Sequence, residues 1–399
     1  MYDYLIVGAG IVGLNIAIAL KQKYPGRSVM LIEKESEVGC HGSGRNSGVL
    51  HAGFYYTADS LKARFTREGN AAMKAFCRAH HLPLNEAGKV VVAANAQEDA
   101  ILETLMERGR ANGVTLHWLT REELESRYPR ISTFRRALFS PSTATVDPKQ
   151  VTLAFAGKAR SLGVEIRLGC AYEKRLGKKV IQSSGGVLHF GHMVNTAGLY
   201  ADRIAHDFGC GSDYTILPFK GIYLKDTENH SELETNVYPV PNLANPFLGV
   251  HFTLAVDRVA KIGPTAIPAF WRENYRGMEN FNLKEMLDIL GWEAKLFLSN
   301  RFGFRTLAIE EMRKYRRAHL VALARKLAPK MPLETYDRWS TPGIRAQLLH
   351  RHTLELVQDF VVEMRGSTTH VLNAVSPAFT ASIPFAEWVV GRLDDSSAD

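Results

Sequence analysis

Residues 4 to 13 read Tyr4-Leu5-Ile6-Val7-Gly8-Ala9-Gly10-Ile11-Val12-Gly13, an apolar run that ends in three glycines at the spacing G-x-G-x-x-G. The run predicts a strand, and the alanine-rich residues 13 to 23 behind it are helix-compatible. Ser28 to Glu33 is a second strand-like run, so the chain opens with a β-α-β unit whose acidic residue, Glu33, lies twenty residues beyond the last glycine. Each part has a physical reason. The first glycine permits a tight turn, the second lets the backbone approach a pyrophosphate, and the third allows the helix to pack closely on the strand. The helix N-terminus adds unpaired N–H groups and a partial positive charge. Glu33 accepts hydrogen bonds from ribose hydroxyls and repels a 2′-phosphate, which disfavours NADP. Gly8, Gly10, Gly13 and Glu33 are therefore candidate dinucleotide-binding residues.

Outward from this unit, β/α alternation continues. Ser60 to His80 reads as an amphipathic helix, Lys89 to Ala94 as a strand and Glu98 to Asn112 as a helix. Thr120 to Tyr128 reads as a helix opened by a capping box, Thr120 with Glu123. Gln150 to Leu162 (helix), Val164 to Cys170 (strand), Met193 to Gly198 (strand and small-residue turn) and Ala201 to Phe208 (helix) follow. Residues 216 to 264 alternate apolar and polar with Pro and Gly breaks, which predicts an antiparallel sheet. Residues 283 to 330 are mostly helical. Strands at Phe360 to Glu363 and His370 to Asn373 precede a closing helix from Ala378.

At 399 residues, 46% hydrophobic, the chain exceeds the usual size of one core, so two domains are expected. No stretch approaches the length of a spanning helix and the opening residues lack a basic n-region, which predicts a cytoplasmic protein. Four scattered cysteines, Cys40, Cys77, Cys170 and Cys210, show no C-x-x-C pair, and no metal is implied. A net charge of +8 suits acidic substrates, nucleic acid or an anionic membrane without choosing among them.

The fingerprint alone does not separate FAD from NAD. Its place at the N-terminus and the polar loop Gly42-Ser43-Gly44-Arg45-Asn46-Ser47-Gly48 do, since an extended FAD needs small residues beside its pyrophosphate and ring. Here a resemblance enters. Glu33-Lys34 after the fingerprint, Asn46-Ser47-Gly48-Val49-Leu50-His51-Ala52-Gly53-Phe54-Tyr55-Tyr56, Pro246-Phe247-Leu248-Gly249-Val250-His251, Gly343-Ile344-Arg345-Ala346-Gln347 and Asn373-Ala374-Val375-Ser376-Pro377-Ala378 together resemble the L-2-hydroxyglutarate oxidase/dehydrogenase family, within the D-amino-acid-oxidase-like flavoproteins. The likeness runs to about residue 392. It implies an α/β chain with a discontinuous Rossmann-like FAD-binding domain (1–85, 146–215 and 341–399) and an inserted α+β substrate domain containing an antiparallel sheet (86–145 and 216–340). It also extends the FAD-binding set to Lys34, Arg45, Asn46, Ser47, Gly198, Gly343, Ser376, Pro377 and Ala378. The chain departs from the family's pattern at Arg45 (usually His), Lys220 (Arg), Ile222 (Glu) and Val375 (Pro), so a related 2-hydroxy or 2-amino acid stays open.

Oxidising a 2-hydroxy acid requires a cation for the carboxylate, a base for the hydroxyl, and charge or dipole stabilisation of reduced flavin. Arg345 resembles the family arginine that pairs bidentately with a carboxylate, a geometry lysine cannot reproduce. His251 and His51 are the two histidines inside motifs. His251 is placed ahead as base and His51 against the flavin or substrate, with the reverse assignment open. Tyr55, Tyr56 and Tyr223 are candidates to orient the substrate, and Lys220 to bind a second carboxylate. The helix from Ala378 is a candidate for the flavin carbonyl by the same resemblance.

Glu310 to Lys330 interleaves Arg313, Lys314, Arg316, Arg317, Arg325 and Lys326 with Met312, Tyr315, Leu320, Leu323 and Leu327. It reads as one basic amphipathic helix, either a solvated face or a peripheral attachment to the inner face of the membrane with electrons passing to quinone, oxygen being the other acceptor. No recognised nucleic-acid module accompanies the charge. The rival functions are an FAD-dependent amino acid or N-methyl amino acid oxidase and a non-catalytic dinucleotide-binding protein. The oligomeric state is not legible.

Overall fold

A computed structural model describes residues 1–228, 232–242 and 249–393. Pro246, Phe247 and Leu248 of the motif ending at His251 lie outside the described residues. The chain packs as two units, the first from Met1–Asn46, Pro148–Pro218 and Ile344–Asp399, the second from Ser47–Asp147 and Phe219–Gly343.

In the first unit, the strand Tyr2–Val7 runs parallel to Val29–Ile32 on one side and Gly186–Asn195 on the other. Glu165–Arg167 and Thr368–Asn373 extend the parallel sheet at either side. Antiparallel strands Tyr172–Gly177, Val180–Ser183 and Val361–Arg365 complete it. Parallel neighbours need a crossover, and the helix Ile11–Lys23 supplies the first. That helix packs against both Pro148–Ser161 and Ala378–Gly391. It is therefore buried nearly all round, and its first three turns are apolar rather than striped, the one polar residue there being Asn15. Leu5, Val7, Met30, Ile32, Phe190 and Met193 fill the core on one face of the sheet.

The second unit is built on an eight-stranded sheet in the order Tyr336–Trp339, Leu224–Asp226, Ala260–Gly263, His251–Leu254, Asn236–Pro239, Lys89–Val92, Arg136–Ser140, His117–Thr120. It is antiparallel except where Asn236–Pro239 lies parallel to Lys89–Val92. Strand alternation divides its residues. Val90, Val92, Val237, Phe252, Leu254, Ala260 and Ile262 face a core shared with Leu320, Ala324, Leu327 and Met331. Their neighbours Lys89, Asn236, Tyr238, His251, Thr253 and Lys261 share the other face, as the register pairs Asn236 with Lys89, Tyr238 with Val91, His251 with Gly263 and Thr253 with Lys261.

Two expectations are corrected, and one strand is added. Residues 47–85 belong to the second unit, not to the dinucleotide-binding one. The helix Leu61–Ala79 is tied there by Asn70, whose Nδ2 donates to the carbonyls of Leu50, His51 and Ser142, and Leu84–Asn85 pairs with Ala144–Val146. The basic segment 310–330 is not one helix. Phe304–Arg313 and Arg317–Arg325 are separate, Lys314 is buried on Glu311, and Arg317 is bound to the carbonyls of Glu334 and Tyr336. Finally, Gly343–His350 is a strand that the sequence pattern did not mark.

Candidate functional site

The glycine turn of the first unit is closed to side chains. Gly8 has φ 103°, and a Cβ there would lie 2.7 Å from the Thr196 carbonyl oxygen. A Cβ on Gly13 would lie 2.1 Å from the Gly8 carbonyl oxygen and 2.6 Å from Thr196 Oγ1, and one on Gly10 would meet Ser43 Oγ at 3.0 Å. Glu33, at the end of the second strand, accepts from Ala9 N at 2.9 Å through one oxygen and from Glu35 N at 3.0 Å through the other. Ser43 Oγ accepts from Ile11 N at 2.8 Å, so the loop after Glu33 reaches back to the helix N-terminus. Asn46 fixes that loop by donating to the carbonyls of Gly42 and Ser43, and Arg45 N bonds to the His41 carbonyl. Lys34 pairs with Glu35 and lies 5.9 Å from the Tyr200 ring. A bare backbone turn at a helix N-terminus offers N–H donors to a dinucleotide pyrophosphate and the acid beside it accepts from a ribose, so the residues present fit an FAD adenosine half.

Thr196 is the member of this cradle that sequence reading passed over. Its hydroxyl donates to the carbonyls of Val7 and Gly8, each at 3.0 Å. The signal was its place in the strand-ending turn before Gly198. Ser376 and Pro377 precede the helix Ala378–Gly391 in the same unit. Arg345, half-buried, also lies in this unit, whereas Ser47 and Gly343 fall in the second.

The polar face of the second unit gathers most of the remaining candidates around Tyr238. The His251 ring stacks on Tyr238 with centroids 3.8 Å apart. His251 Nδ1 lies 2.9 Å from the Gly249 carbonyl oxygen. A carbonyl only accepts, so Nδ1 carries the proton and Nε2 is the acceptor of the neutral ring. Lys89, absent from the sequence-based set, has its Nζ 4.2 Å from the Tyr55 ring, 4.5 Å from Phe54 and 4.8 Å from Tyr238. Burial pulls its amine down to about 7, against which the ring faces favour the ammonium. His51 is held neutral, pushed down to about 3 by burial and by the Lys89 charge. Lys261 donates to the Ser47 carbonyl at 3.0 Å and lies over Tyr223 at 4.9 Å. Burial, with Lys225 adding, lowers it to about 8. Tyr56 and Tyr223 both act on the Tyr238 phenol, which burial pushes up. Lys220 is buried and donates to Asn274 Oδ1 at 3.1 Å. Among the described residues neither Lys89 nor Lys261 forms an ion pair.

Comparison with known proteins follows the geometry. Residues 3–392 match the family described as FAD dependent oxidoreductase, DAO. The chain is 36% identical over 399 residues to an L-2-hydroxyglutarate dehydrogenase of Escherichia coli, covering 98% of this chain and 93% of that protein. It is 34% identical to the mitochondrial L-2-hydroxyglutarate dehydrogenase of Homo sapiens, covering 98% and 88%. Among solved structures it resembles the FAD-bound L-alpha-glycerophosphate oxidase of Mycoplasma pneumoniae, with TM-score 0.77, 20% identity and coverage of 98% and 94%. Glycine oxidase from Geobacillus kaustophilus has TM-score 0.71, 18% identity and coverage of 99% and 94%. The chain belongs to the DAO family of FAD-dependent oxidoreductases. It is an enzyme whose cofactor is FAD.

Proposed function

We propose that the protein oxidises a small L-2-hydroxy acid, L-2-hydroxyglutarate to 2-oxoglutarate, as its curated relatives are named for doing. The observation that carries this reading is the buried polar face of the second unit: Lys89, without an ion-pair partner among the described residues, lies beside His51 and Tyr238, on which His251 stacks. A buried ammonium is costly until an anion arrives, so this face favours a carboxylate ligand. Bound FAD supplies the acceptor of the hydride. His251, its ring fixed by Tyr238 and Gly249, accepts the hydroxyl proton at Nε2. His51, neutral above about pH 3, lines the substrate without competing for the anion.

The remaining assignments rest on the family resemblance. Arg345 pairs with the substrate carboxylate, Lys220 serves a second carboxylate, and Tyr56 and Tyr223 orient the hydroxy acid. Gly8, Gly10, Gly13, Glu33, Lys34, Arg45, Asn46, Ser47, Gly198, Gly343, Ser376, Pro377 and Ala378 hold the cofactor. Electrons leave to a quinone or to oxygen, from a protein that works in the cytoplasm with peripheral contact to the membrane. No helix among the described residues is long and apolar enough to cross one.

Anaerobic flavin absorbance tests the reading. Bleaching by L-2-hydroxyglutarate and not by its D isomer is the expected result. Bleaching by a 2-amino acid instead would make the protein an amino acid oxidase, and a flavin that no acid bleaches would overturn the catalytic reading.

A further inference from the structure

The strand Gly186–Asn195 ends on a buried amide that is bonded through both of its ends. Asn195 Oδ1 accepts from Ala197 N at 3.1 Å, and Nδ2 donates to the Ala201 carbonyl at 2.8 Å. These bonds bridge the turn that carries Thr196, Ala197 and Gly198 into the helix Ala201–Asp207. That turn walls the dinucleotide cradle. A Cβ on Gly8 would strike the Thr196 carbonyl oxygen at 2.7 Å and the Ala197 Cα at 3.2 Å, so a shift of the turn is felt at the backbone of the first glycine.

Asn195 is itself held from the neighbouring strand. The parallel register sets it beside His370, and neither side chain reaches solvent. Asn195 Nδ2 lies 3.1 Å from His370 Nδ1, and both ends of the ring agree on where its proton sits. The Asn195 oxygen is the atom that accepts from Ala197, so the amide nitrogen faces His370 and donates, and Nδ1 accepts. On the other side, Thr368 Oγ1 donates its hydrogen to the Arg365 carbonyl at 3.0 Å and therefore accepts from His370 Nε2 at 3.1 Å. The ring is neutral, with its proton on Nε2. A second proton, on Nδ1, would set two donors against each other. Burial opposes that proton, pushing the ring down to about 4, with the His192 charge adding.

We propose that His370 is a positioning residue for the cofactor: its bare Nδ1 holds the Asn195 amide, and the amide holds the turn 196–198 against the glycine turn of the cradle. This rests on FAD as the cofactor and on no identity of the acid, so flavin retention and flavin bleaching fail separately. The test is the FAD dissociation constant of the full-length holoenzyme, read from the flavin that passes an ultrafilter at equilibrium, for the native protein, H370L and H370N. Leucine leaves the buried amide facing no acceptor. Asparagine sets its Oδ1 where Nδ1 stood, while giving up the bond to Thr368 and the contact with the Phe208 ring, whose centroid lies 5.6 Å from that of His370. H370L is expected to hold FAD about tenfold or more weakly, and H370N to stay within about threefold of the native protein, although both variants melt at a lower temperature. Nitrogen-15 NMR of the histidine-labelled holoenzyme, with the His370 signal identified by its loss in H370N, is expected to show a protonated Nε2 and a bare Nδ1 at neutral pH. Three results would overturn the inference: native affinity for FAD in H370L, a loss of about tenfold or more in H370N, or a native ring that carries its proton on Nδ1. The NMR measurement and H370N decide the matter even if H370L does not fold.

Discussion

Lys89 holds an amine where a charge is expensive. In the unfolded chain it titrates near its ordinary 10.5 and in the folded chain near 7. Between those values the unfolded chain binds more protons, so the free energy of unfolding rises with pH; below about 7 both states are protonated and the cost is constant. Ligand-free protein is therefore expected to gain roughly 2 kcal/mol of stability from this group between about pH 7 and 9. Lys261 adds in the same direction from about 8. In K89M, thermal melting is expected to be flatter across that window and higher at its acid end. The same variant separates structure from function: kcat/KM for the hydroxy acid is expected to fall at least tenfold at neutral pH while the protein itself melts later. A variant that is both less stable at pH 7 and fully active would remove Lys89 from the site. Lys89 was not legible because a lysine opening an apolar strand, Lys89-Val90-Val91-Val92, reads as the strand's wet end. What buries it is Phe54, Tyr55 and Tyr238, from distant parts of the chain.

Elements whose own sequence stabilises them were the legible ones. The helix Arg121–Arg127 carries the expected capping box, Glu123 N donating to Thr120 Oγ1 at 3.2 Å and Thr120 N to Glu123 Oε2 at 2.7 Å. T120A is expected to cost about 1 kcal/mol, read as a lower melting temperature with unchanged activity. Ser60 and Asn95 cap their helices in the same local way, and the β-α-β opening follows from turn chemistry and burial. Strands such as Val49–Leu50, Leu84–Asn85 and His117–Thr120 have too few residues to show a period, and their pairing partners lie far along the chain. The basic stretch from 310 to 330 misled for a related reason. Its charges suggested one solvated face, but Lys314 is buried on Glu311 and Leu320 and Ala324 turn inward.

At the scale of the whole molecule, the parallel sheet and the later boundaries of the two units near residues 147, 218 and 343 were legible, but the place of residues 47–85 was not, because it is set by side-chain hydrogen bonds such as those of Asn70. The last segment completes the first unit: Thr368–Asn373 pairs with Gly186–Asn195, and Ala378–Gly391 packs on the helix that follows the glycine turn. A chain ending at Gly343 is expected to purify without flavin, checked by the ratio of visible to ultraviolet absorbance. Retained FAD would mean that the cradle stands without that segment. The threading of the two units also fixes an order of birth. A ribosome delivers the whole of the second unit before the strand and helix that close the first, and at about 5–20 residues per second that interval lasts several seconds. During it the nascent chain displays an unclosed sheet edge and an uncovered apolar helix, which makes the synthesis of residues 344–393 the moment of greatest need for a chaperone.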